Sequence, residues 1–452
     1  MPSFSGQFEV QNPAGSTDQR GACQITFDDE TFTLTPSSGP PLAIDLGDID
    51  IFTPGEFDLA LKLYAGQRLL LRQFGRTFQN LAHDLLEAYR KRVVECLLLE
   101  DLEEVSRFEG HAQLESKAAP ARSFSSPAEI RLCRSNLALL PTQATGVQWR
   151  LAEIDSVTFD EQIYAVTLRS GPDTITLTRL AKRTREFHER LETGMTAIRE
   201  KAAQVIHRLL PFLTPAEFQK AATLLREGQP ASFGELNGVN AKIERALCAK
   251  IVDAQLKPYC DALGGLGPAG SAYTGFKFIR EEEGESPAAE ESSGATSETS
   301  EVVPDAAAPA PENKVADENQ EPVLHWYFFP LSPRAGGPPK LVAWEAASRG
   351  GRATYFFRVA SPEQSGLAAD RTESLDAAIA QLNRALVLLN FRREPIYLSD
   401  EKLETDSRYR RYAIACRKLS DLRRLRSNFV GRAIHTSLDA WRKQVDTLLA
   451  GF

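Results

Sequence analysis

The sequence predicts an α+β fold in several domains, and three observations lead to this prediction. One unit occurs twice in the first 210 residues, each copy passes from strand periodicity to helix periodicity, and an acidic segment interrupts a later α+β region. The chain has 452 residues, 42% of them hydrophobic, which suffices for several domains with their own cores. We expect domains at residues 1–104, 105–210, 211–270 and 271–452.

The two copies align almost without gaps at an offset of about 105 residues. Ten anchor positions carry the same residue type in both copies, so two copies of one fold are expected. The anchors are Phe4, Gly6, Ile25, Leu34, Pro36, Leu46, Ile49, Asp50, Leu63 and Gly66, which recur as Phe108, Gly110, Ile130, Leu139, Pro141, Leu151, Ile154, Asp155, Leu168 and Gly171.

Each copy begins with a pattern of antiparallel strands and ends with a helix. Apolar residues alternate over Leu59–Leu63 and Tyr164–Leu168, the period of a strand with one face on a core. The apolar stripe from Phe78 to Leu97 then predicts a helix over about 77–102. A second helix is predicted after Leu180, running until a proline at position 211 interrupts it.

Several short strands closed by one amphipathic helix resemble the pleckstrin-homology-like superfold, a bent barrel of about seven strands with a C-terminal helix at one end. The resemblance covers about residues 1–210 and rests on the strand count, the hairpin glycines Gly66 and Gly171, and the terminal helices. It implies a binding module for lipids, peptides or proteins. Small Greek-key or lipocalin-like units are the alternative fold.

Lipid-binding members of this superfold carry a basic cluster in the first hairpin. The matching stretches here offer only Arg20 in the first copy and Lys117 and Arg122 in the second, which disfavours phosphoinositide binding. The resemblance therefore favours a protein partner, bound at a sheet edge or at the seam between the copies.

Helical periodicity returns between residues 214 and 263. Thr214, Pro215 and Glu217 form the sequence signature of a capping box at the start of one helix, and a second helix is predicted over about 240–263. The following GGLGPAG contains a formal G-x-G-x-x-G, but it follows a helix and includes Pro268, so a hinge is favoured over a cofactor loop.

The last predicted domain is an α+β region with an insertion. Residues 281–322 contain thirteen acidic residues and one lysine, so this segment is predicted to be disordered. It separates AYTGFKFI from VLHWYFFPL, which predicts an insertion in a hairpin. Two further strands are predicted at 341–346 and 353–359, and helices follow along the stripe from 375 to 389, over 402–426 and over 437–449.

The densest basic stretch lies in the second of these helices. If it is one helix, it buries Tyr412, Ala415, Leu419 and Leu422 and presents its cations on the other side. Three interpretations stay open: a solvated face, a nucleic-acid interface, or a surface for an acidic partner or for the chain's own acidic segment. The candidate anion-binding or partner-binding residues are Arg408, Arg410, Arg411, Arg417, Lys418, Arg423, Arg424 and Arg426.

Other patterns argue against catalysis. The six cysteines and six histidines are scattered without metal-ligand spacing, and no hydrolase, P-loop or zinc-protease motif occurs. We expect no cofactor, no metal and no catalytic residue. With no secretion signal and no apolar run long enough for a membrane span, a cytoplasmic location with free thiols is expected.

Together these patterns predict a non-enzymatic interaction or scaffold protein that binds a protein partner through its tandem units, with the acidic segment modulating the contact. The net charge of -8 excludes a global attraction to nucleic acid. The alternative hypothesis uses the basic C-terminal helices and the acidic segment, either for nucleic-acid binding or as in histone-chaperone-like proteins, which the order of tandem units and acidic stretches also resembles.

Overall fold

The computed structural model describes residues 3–99, 103–117, 120–252, 254–268, 270–279, 323–332, 337–347, 352–359 and 375–452. The chain divides into two compact units. The larger contains residues 1–204 and 381–429, and the smaller contains residues 205–380 and 430–452. The segment 281–322, predicted to be disordered, lies outside the described residues, and the four domain boundaries remain a prediction.

The larger compact unit contains two seven-stranded antiparallel sheets, which we call the first and second repeat. The first is made of β1 (Ser3–Gln11), β2 (Thr17–Phe27), β3 (Thr31–Pro36), β4 (Leu42–Asp45), β5 (Ile49–Pro54), β6 (Asp58–Leu63) and β7 (Arg68–Arg72), followed by helix α1 (Phe78–Cys96). The second is made of β8 (Glu104–Ser116), β9 (Phe124–Cys133), β10 (Asn136–Pro141), β11 (Val147–Arg150), β12 (Ser156–Asp160), β13 (Ala165–Ser170) and β14 (Asp173–Thr178), followed by α2 (Thr184–Leu209).

Both sheets have the same strand order, β4-β3-β2-β1-β7-β6-β5 in the first and β11-β10-β9-β8-β14-β13-β12 in the second. The first strand of each repeat therefore lies in the middle of its sheet, and β4, β5, β11 and β12 are edge strands. The matching topology confirms the repeat that the sequence predicts. The α+β class is also confirmed.

Several anchors coincide because they have the same physical role in both repeats. Ile25, Leu34, Ile130 and Leu139 lie in the cores with at most 1% exposure. A Cβ atom on Gly6 would lie 2.6 Å from the ring of Phe74, so this strand position accepts no side chain. Close packing against Phe74 thus accounts for glycine at position 6.

The hairpin glycines are required by backbone conformation. Gly66 and Gly171 have φ of 85° and 53°, the left-handed region that glycine adopts at little cost. Tyr164, predicted to be in a strand, instead lies before β13 with φ of 50° and 60% exposure. Helix α1 ends at Cys96, six residues before the predicted end, because Leu98 adopts a φ of 58°.

A third sheet lies after the repeats, in the order β15-β16-β17-β18-β19-β20. Its strands and the helices between them include α3 (Pro215–Leu224), β15 (Ala231–Ser232), α4 (Phe233–Val239), α5 (Ile243–Ile251), α6 (Lys257–Gly264), β16 (Tyr273–Phe278), β17 (Val323–Leu331), β18 (Leu341–Ala346) and β19 (Ala353–Arg358). The remaining elements are α7 (Leu375–Leu388), α8 (Glu394–Tyr397), α9 (Asp400–Thr405), α10 (Arg410–Lys418), α11 (Ser420–Asn428), β20 (Phe429–Ile434) and α12 (Leu438–Ala450).

The hairpin around the acidic insertion is confirmed. Strands β16 and β17 pair antiparallel, with Tyr273 opposite Phe328 and Phe278 opposite Val323. The capping box at Thr214 is also present, since its side chain accepts from the Glu217 backbone and the Glu217 side chain accepts from the Thr214 backbone. Residues 281–322 therefore connect two neighbouring strands.

Two segments that the sequence predicts as single continuous helices are interrupted in the structure. The helix predicted over 240–263 is two helices, because Val252 is extended and α6 restarts with a proline in its first turn. The helix predicted over 402–426 is three, α9 to α11, because Asp406 and Leu419 are extended with ψ of 117° and 113°. Strand β20 was not predicted at all, since Gly431 and Arg432 obscure its apolar alternation.

His325 is a buried titratable group in the third sheet. It pairs with Phe276 across β16 and β17, and it lines a small apolar cavity together with Ile206 and Leu247. Burial and, to a smaller extent, the Arg208 cation lower the pKa of His325 from 6.5 to about 4. The ring is therefore neutral in the folded protein at pH 7.

We expect the protein to lose stability as the pH falls from 6.5 towards 4. In this range the unfolded chain binds a proton on His325 that the folded chain excludes, so the free energy of unfolding decreases with decreasing pH. Because the side chain keeps some solvent contact, we expect a loss of about 2 kcal/mol. Urea unfolding at pH 7 and pH 4.5 measures this loss of stability.

His325→Gln should reduce the loss. The control His83→Gln, at an exposed position of α1, should leave the loss unchanged. Equal pH dependence in both variants would contradict the assignment to His325.

Candidate functional site

The predicted basic residues lie on α10, on α11 and in the turn before α10, and several contact the first repeat. Arg417 donates to Asp48 at 2.8 Å and to Glu404 at 2.8 Å. The Lys418 ammonium donates to the backbone carbonyl of Ile49 at 2.6 Å, and its side chain is only 5% exposed. These two cations are therefore held by the chain itself.

Two of their partners, Asp48 and the Ile49 carbonyl, lie at one acidic turn between β4 and β5. Residues 46–48 form a 3-10 turn that Asp45 caps by accepting from the Gly47 amide at 2.8 Å. A Cβ atom on Gly47 would lie 3.0 Å from Ile414 of α10, so glycine permits the close approach of that helix. Asp45 also pairs with Arg92 at 3.0 Å and with Arg410 at 3.3 Å.

Burial shifts the pKa values of two ionisable groups at this contact. It lowers the pKa of the Lys418 ammonium and raises the pKa of the Asp50 carboxyl, whose nitrogen–oxygen distance to Lys418 is 3.9 Å. Desolvation penalises both charged forms, and their mutual attraction offsets part of that cost. The contact thus consists of a desolvated cation between a carbonyl oxygen and a carboxylate.

The other predicted cations are divided between internal contacts and solvent. Arg426 donates to the Leu398 carbonyl at 2.8 Å and to Asp400 at 2.6 Å, and Arg408 donates to Asp406 at 3.0 Å. Arg411 donates to the hydroxyl of Tyr412 at 3.1 Å. Arg423 and Arg424 are exposed on α11. The structure therefore brings Arg410, Arg417 and Lys418 together at the acidic turn and leaves the rest dispersed.

A different surface is open in the second repeat, and we call Ser156–Tyr164 the β12 edge surface. Strand β12 pairs with β13 on one side only. Its side chains alternate between exposed and half-buried, with Val157 and Phe159 half-buried. Beyond the strand, Ile163 and Tyr164 are 68% and 60% exposed. A sheet edge and an exposed apolar tip are thus continuous.

Helix α2 forms one flank of this surface. The ring of His188 lies 5.4 Å from the ring of Phe159, and the Arg185 guanidinium lies 5.9 Å from the same ring. Arg185 also pairs with Glu161 at 2.7 Å. Phe159 is therefore held in place by its neighbours while part of its ring stays accessible.

The first repeat supplies an internal comparison. Phe52 of β5 pairs with Leu61, and Phe159 of β12 pairs with Val166 at the position equivalent to Leu61. Phe52 is fully buried, and its backbone amide donates to the Thr142 carbonyl at 3.1 Å. Within the described residues no corresponding backbone hydrogen bond reaches the outer edge of β12. The same edge is thus covered in one repeat and open in the other.

The smaller compact unit contains a buried polar cluster centred on Thr354. The Thr354 hydroxyl donates to Glu345 at 2.7 Å and accepts from the Trp441 indole at 2.9 Å. His435 lies 3.0 Å from the same hydroxyl, and its ring stacks on Tyr259 with centroids 4.1 Å apart. One hydroxyl thus joins β18, β19 and α12, and the stacking contact connects them to α6.

The glycines of GGLGPAG follow α6 and precede β16. A Cβ atom on Gly267 would lie 2.2 Å from the Pro330 carbonyl oxygen, so glycine is required for packing against β17. In the part of the chain that the structure describes, no group of three or more His, Cys, Asp or Glu side chains is placed to hold a metal ion. No described helix combines the length and apolar character needed to cross a membrane.

No family model matches the chain, and no curated protein matches it. Among solved structures, the C-terminal domain of an unknown protein from Leishmania infantum is 15% identical, with a TM-score of 0.20, and the match covers 25% of this chain and 98% of that chain. The N-terminally truncated linker-DH/PH domains of p115-RhoGEF are 10% identical, with a TM-score of 0.16, over 26% of this chain and 45% of that chain.

Likenesses of this size carry no functional argument. The two seven-stranded antiparallel sheets, each followed by a helix, agree in outline with the pleckstrin-homology-like resemblance. The β12 edge surface was not identified from the sequence beyond the general expectation of a sheet edge. The apolar pair at positions 163 and 164, at the hairpin tip, was the available signal.

We expect Arg417→Ala to destabilise the protein by about 1 kcal/mol, because it removes two ion pairs that are partly shielded from water. Arg423→Ala, which removes an exposed cation of the same basic stretch, should change stability by less than about 0.5 kcal/mol. Chemical unfolding of the two variants measures the difference. Equal effects would contradict a docking role for Arg417.

We expect Thr354→Val to cost about 2–3 kcal/mol, because it keeps the side-chain shape but leaves the Trp441 indole and the Glu345 carboxylate without their shared hydroxyl. Thr447→Val is a matched control, since the Thr447 hydroxyl bonds only its own helix at an exposed site. Urea unfolding followed by tryptophan fluorescence measures both variants. A loss under 1 kcal/mol for Thr354→Val would show that the cluster is not held by this hydroxyl.

Proposed function

We propose that this chain is a non-enzymatic interaction protein that binds an extended segment of a protein partner through its tandem pleckstrin-homology-like repeats, at the β12 edge surface. The observation that carries the proposal is the asymmetry between the repeats. The backbone carbonyl of Thr142 accepts a hydrogen bond from the edge of β5, whereas among the described residues no backbone hydrogen bond reaches the outer edge of β12, so an added strand can pair there.

The side chains along this edge fit an alternating apolar segment. Val157 and Phe159 are half-buried and lie two positions apart on one face of the strand. Added backbone hydrogen bonds supply affinity, and the two side chains select apolar residues at every second position of the partner. The exposed tip at Ile163 and Tyr164 extends the apolar contact beyond the strand.

Support for the nucleic-acid alternative is weaker. Arg410, Arg417 and Lys418 contact the acidic turn, and the Arg426 guanidinium donates to two backbone carbonyls. A nucleic acid has to displace these partners before it can use the same cations. We therefore propose a structural role for most of the basic stretch.

Site-specific photocrosslinking tests the proposal. The full chain carries a benzophenone amino acid in place of Ile163 or, as a matched control, in place of Phe57, which is 74% exposed at the equivalent tip of the first repeat. Each version is irradiated in nuclease-treated lysate at two salt concentrations. We expect a discrete protein adduct from position 163 and at least a five-fold weaker adduct from position 57.

An edge-blocking variant then links the adduct to the strand. Thr158→Lys places a charge at an exposed position of β12, a known way to prevent edge pairing, and should reduce the adduct at least five-fold. Thr35→Lys, at an exposed position of the interior strand β3, should leave it unchanged. Equal adducts from 57 and 163, insensitivity to Thr158→Lys, or a nucleic-acid adduct would each refute the proposal.

A further inference from the structure

We propose that a cavity in the smaller compact unit binds a small, planar, uncharged aromatic molecule that carries one hydrogen-bond acceptor. The cavity has a volume of about 260 Å³. Its walls come from helices α4 to α6, from the GGLGPAG loop and from strand β17. It is separate from the β12 edge surface, so either proposal can be refuted without affecting the other.

The aromatic walls set the shape of the ligand. The ring of Tyr327 lies 6.0 Å from the rings of Phe233 and Phe329, tilted by 32° to each. Rings in this arrangement favour the offset packing of another flat ring. A cavity of about 150 Å³ lined by apolar side chains holds benzene, so this larger cavity has room for two fused rings.

One buried hydroxyl sets the polar requirement. Tyr327 is 1% exposed, and its hydroxyl has no conventional hydrogen-bond partner. The Thr274 hydroxyl and the Cys248 thiol are its polar neighbours, but neither makes a hydrogen bond of ordinary geometry with it. A buried donor without a strong acceptor is costly, and a ligand acceptor in the cavity removes that cost.

The charges around the cavity exclude a simple anion. Lys257 is held by both carboxylate oxygens of Asp261, at 3.0 and 3.1 Å. A second carboxylate, Glu244, accepts from Asn237 at 2.7 Å. The lining therefore carries two negative charges and one positive charge, and an anionic ligand meets net repulsion.

The glycine loop completes the wall. Because Gly267 lies against the Pro330 carbonyl oxygen, the loop packs directly on β17 and closes the cavity on that side. The Ser271 hydroxyl donates to the Pro268 carbonyl at 2.7 Å, which fixes the loop. The glycines thus shape a cavity and do not wrap a phosphate group.

Three bicyclic probes test separately how ring shape, a hydrogen-bond acceptor and a negative charge affect binding. Quinoline has a ring-nitrogen acceptor, naphthalene has the same shape without one, and 2-naphthoate adds a negative charge. Cys248 is half-buried and lines the cavity, whereas the other five cysteines are buried. The rate of N-ethylmaleimide labelling at Cys248, followed by mass spectrometry on the full chain, therefore reports occupancy.

We expect quinoline to slow labelling at Cys248 in a saturable manner, with naphthalene weaker and 2-naphthoate weakest. Tyr327→Phe keeps the ring and removes the hydroxyl, so it should weaken quinoline about five-fold and leave naphthalene unchanged. Tyr64→Phe, which removes an exposed hydroxyl outside the cavity, should have no effect on either probe.

Cys248→Phe supplies a second variant, read by isothermal titration calorimetry with quinoline. The larger side chain fills the cavity, so heat of binding should disappear while Tyr327→Phe retains a weaker signal. The proposal is overturned if quinoline neither protects Cys248 nor gives a binding heat. It is also overturned if Tyr327→Phe binds quinoline as tightly as the natural chain, or if 2-naphthoate binds as well as quinoline.

Discussion

The need to cover sheet edges governs the arrangement of this protein. An edge strand exposes a row of backbone amides and carbonyls that pair with any available strand. At the edge of β5, the Phe52 amide bonds the second repeat, and the Lys418 ammonium bonds the Ile49 carbonyl. At the edge of β11, the Gln148 side chain donates to the carbonyl of Leu97, just beyond α1. Helix α10 and the second repeat thus cover part of the β5 edge, and a side-chain hydrogen bond joins β11 to the chain just beyond α1.

This constraint also explains the place of the basic helices. Lys418 is desolvated because its ammonium has to reach an edge carbonyl beneath α10, and Arg417 and Arg410 satisfy the carboxylates of the same turn. The sequence indicated an anion-binding face here. In the structure, Arg410, Arg417 and Lys418 of that face contact the first repeat. Exposed cations of the basic stretch include Arg408 in the turn before α10 and Arg423 on α11.

The sequence predicted the features that depend on local periodicity. Repeat anchors such as Ile25 and Ile130, the stripe of α1 and the hairpin glycines are each fixed by neighbours in the chain, so the pattern is sufficient. The breaks at Asp406 and Leu419 were not predictable, because apolar spacing continues through them while the backbone becomes extended. Strand β20 is short, interrupted by a glycine, and stabilised by contacts distant in sequence, such as the hydrogen bond from the Ile434 amide to Gln444 of α12.

The candidate sites depend on contacts that no local pattern records. The formal G-x-G-x-x-G was correctly separated from dinucleotide binding by its context, but the role of Gly267 follows only from the position of Pro330 on a distant strand. The sequence did not distinguish Tyr327 from the other aromatic residues of its strand. The open edge of β12 became visible only by comparison with β5, since the two strands occupy equivalent edges and differ in what covers them.

The ion pair between Asp48 and Arg417 spans 369 residues of sequence, and this separation has a consequence for synthesis. A ribosome that adds 5–20 residues per second needs roughly 20–70 s to reach the cation after it has made the carboxylate. Until then the acidic turn and the β5 edge of the first repeat emerge without α10. The nascent chain therefore carries the Asp48 carboxylate and the Ile49 carbonyl without their cations during most of its translation, a period in which a holding chaperone has its greatest effect.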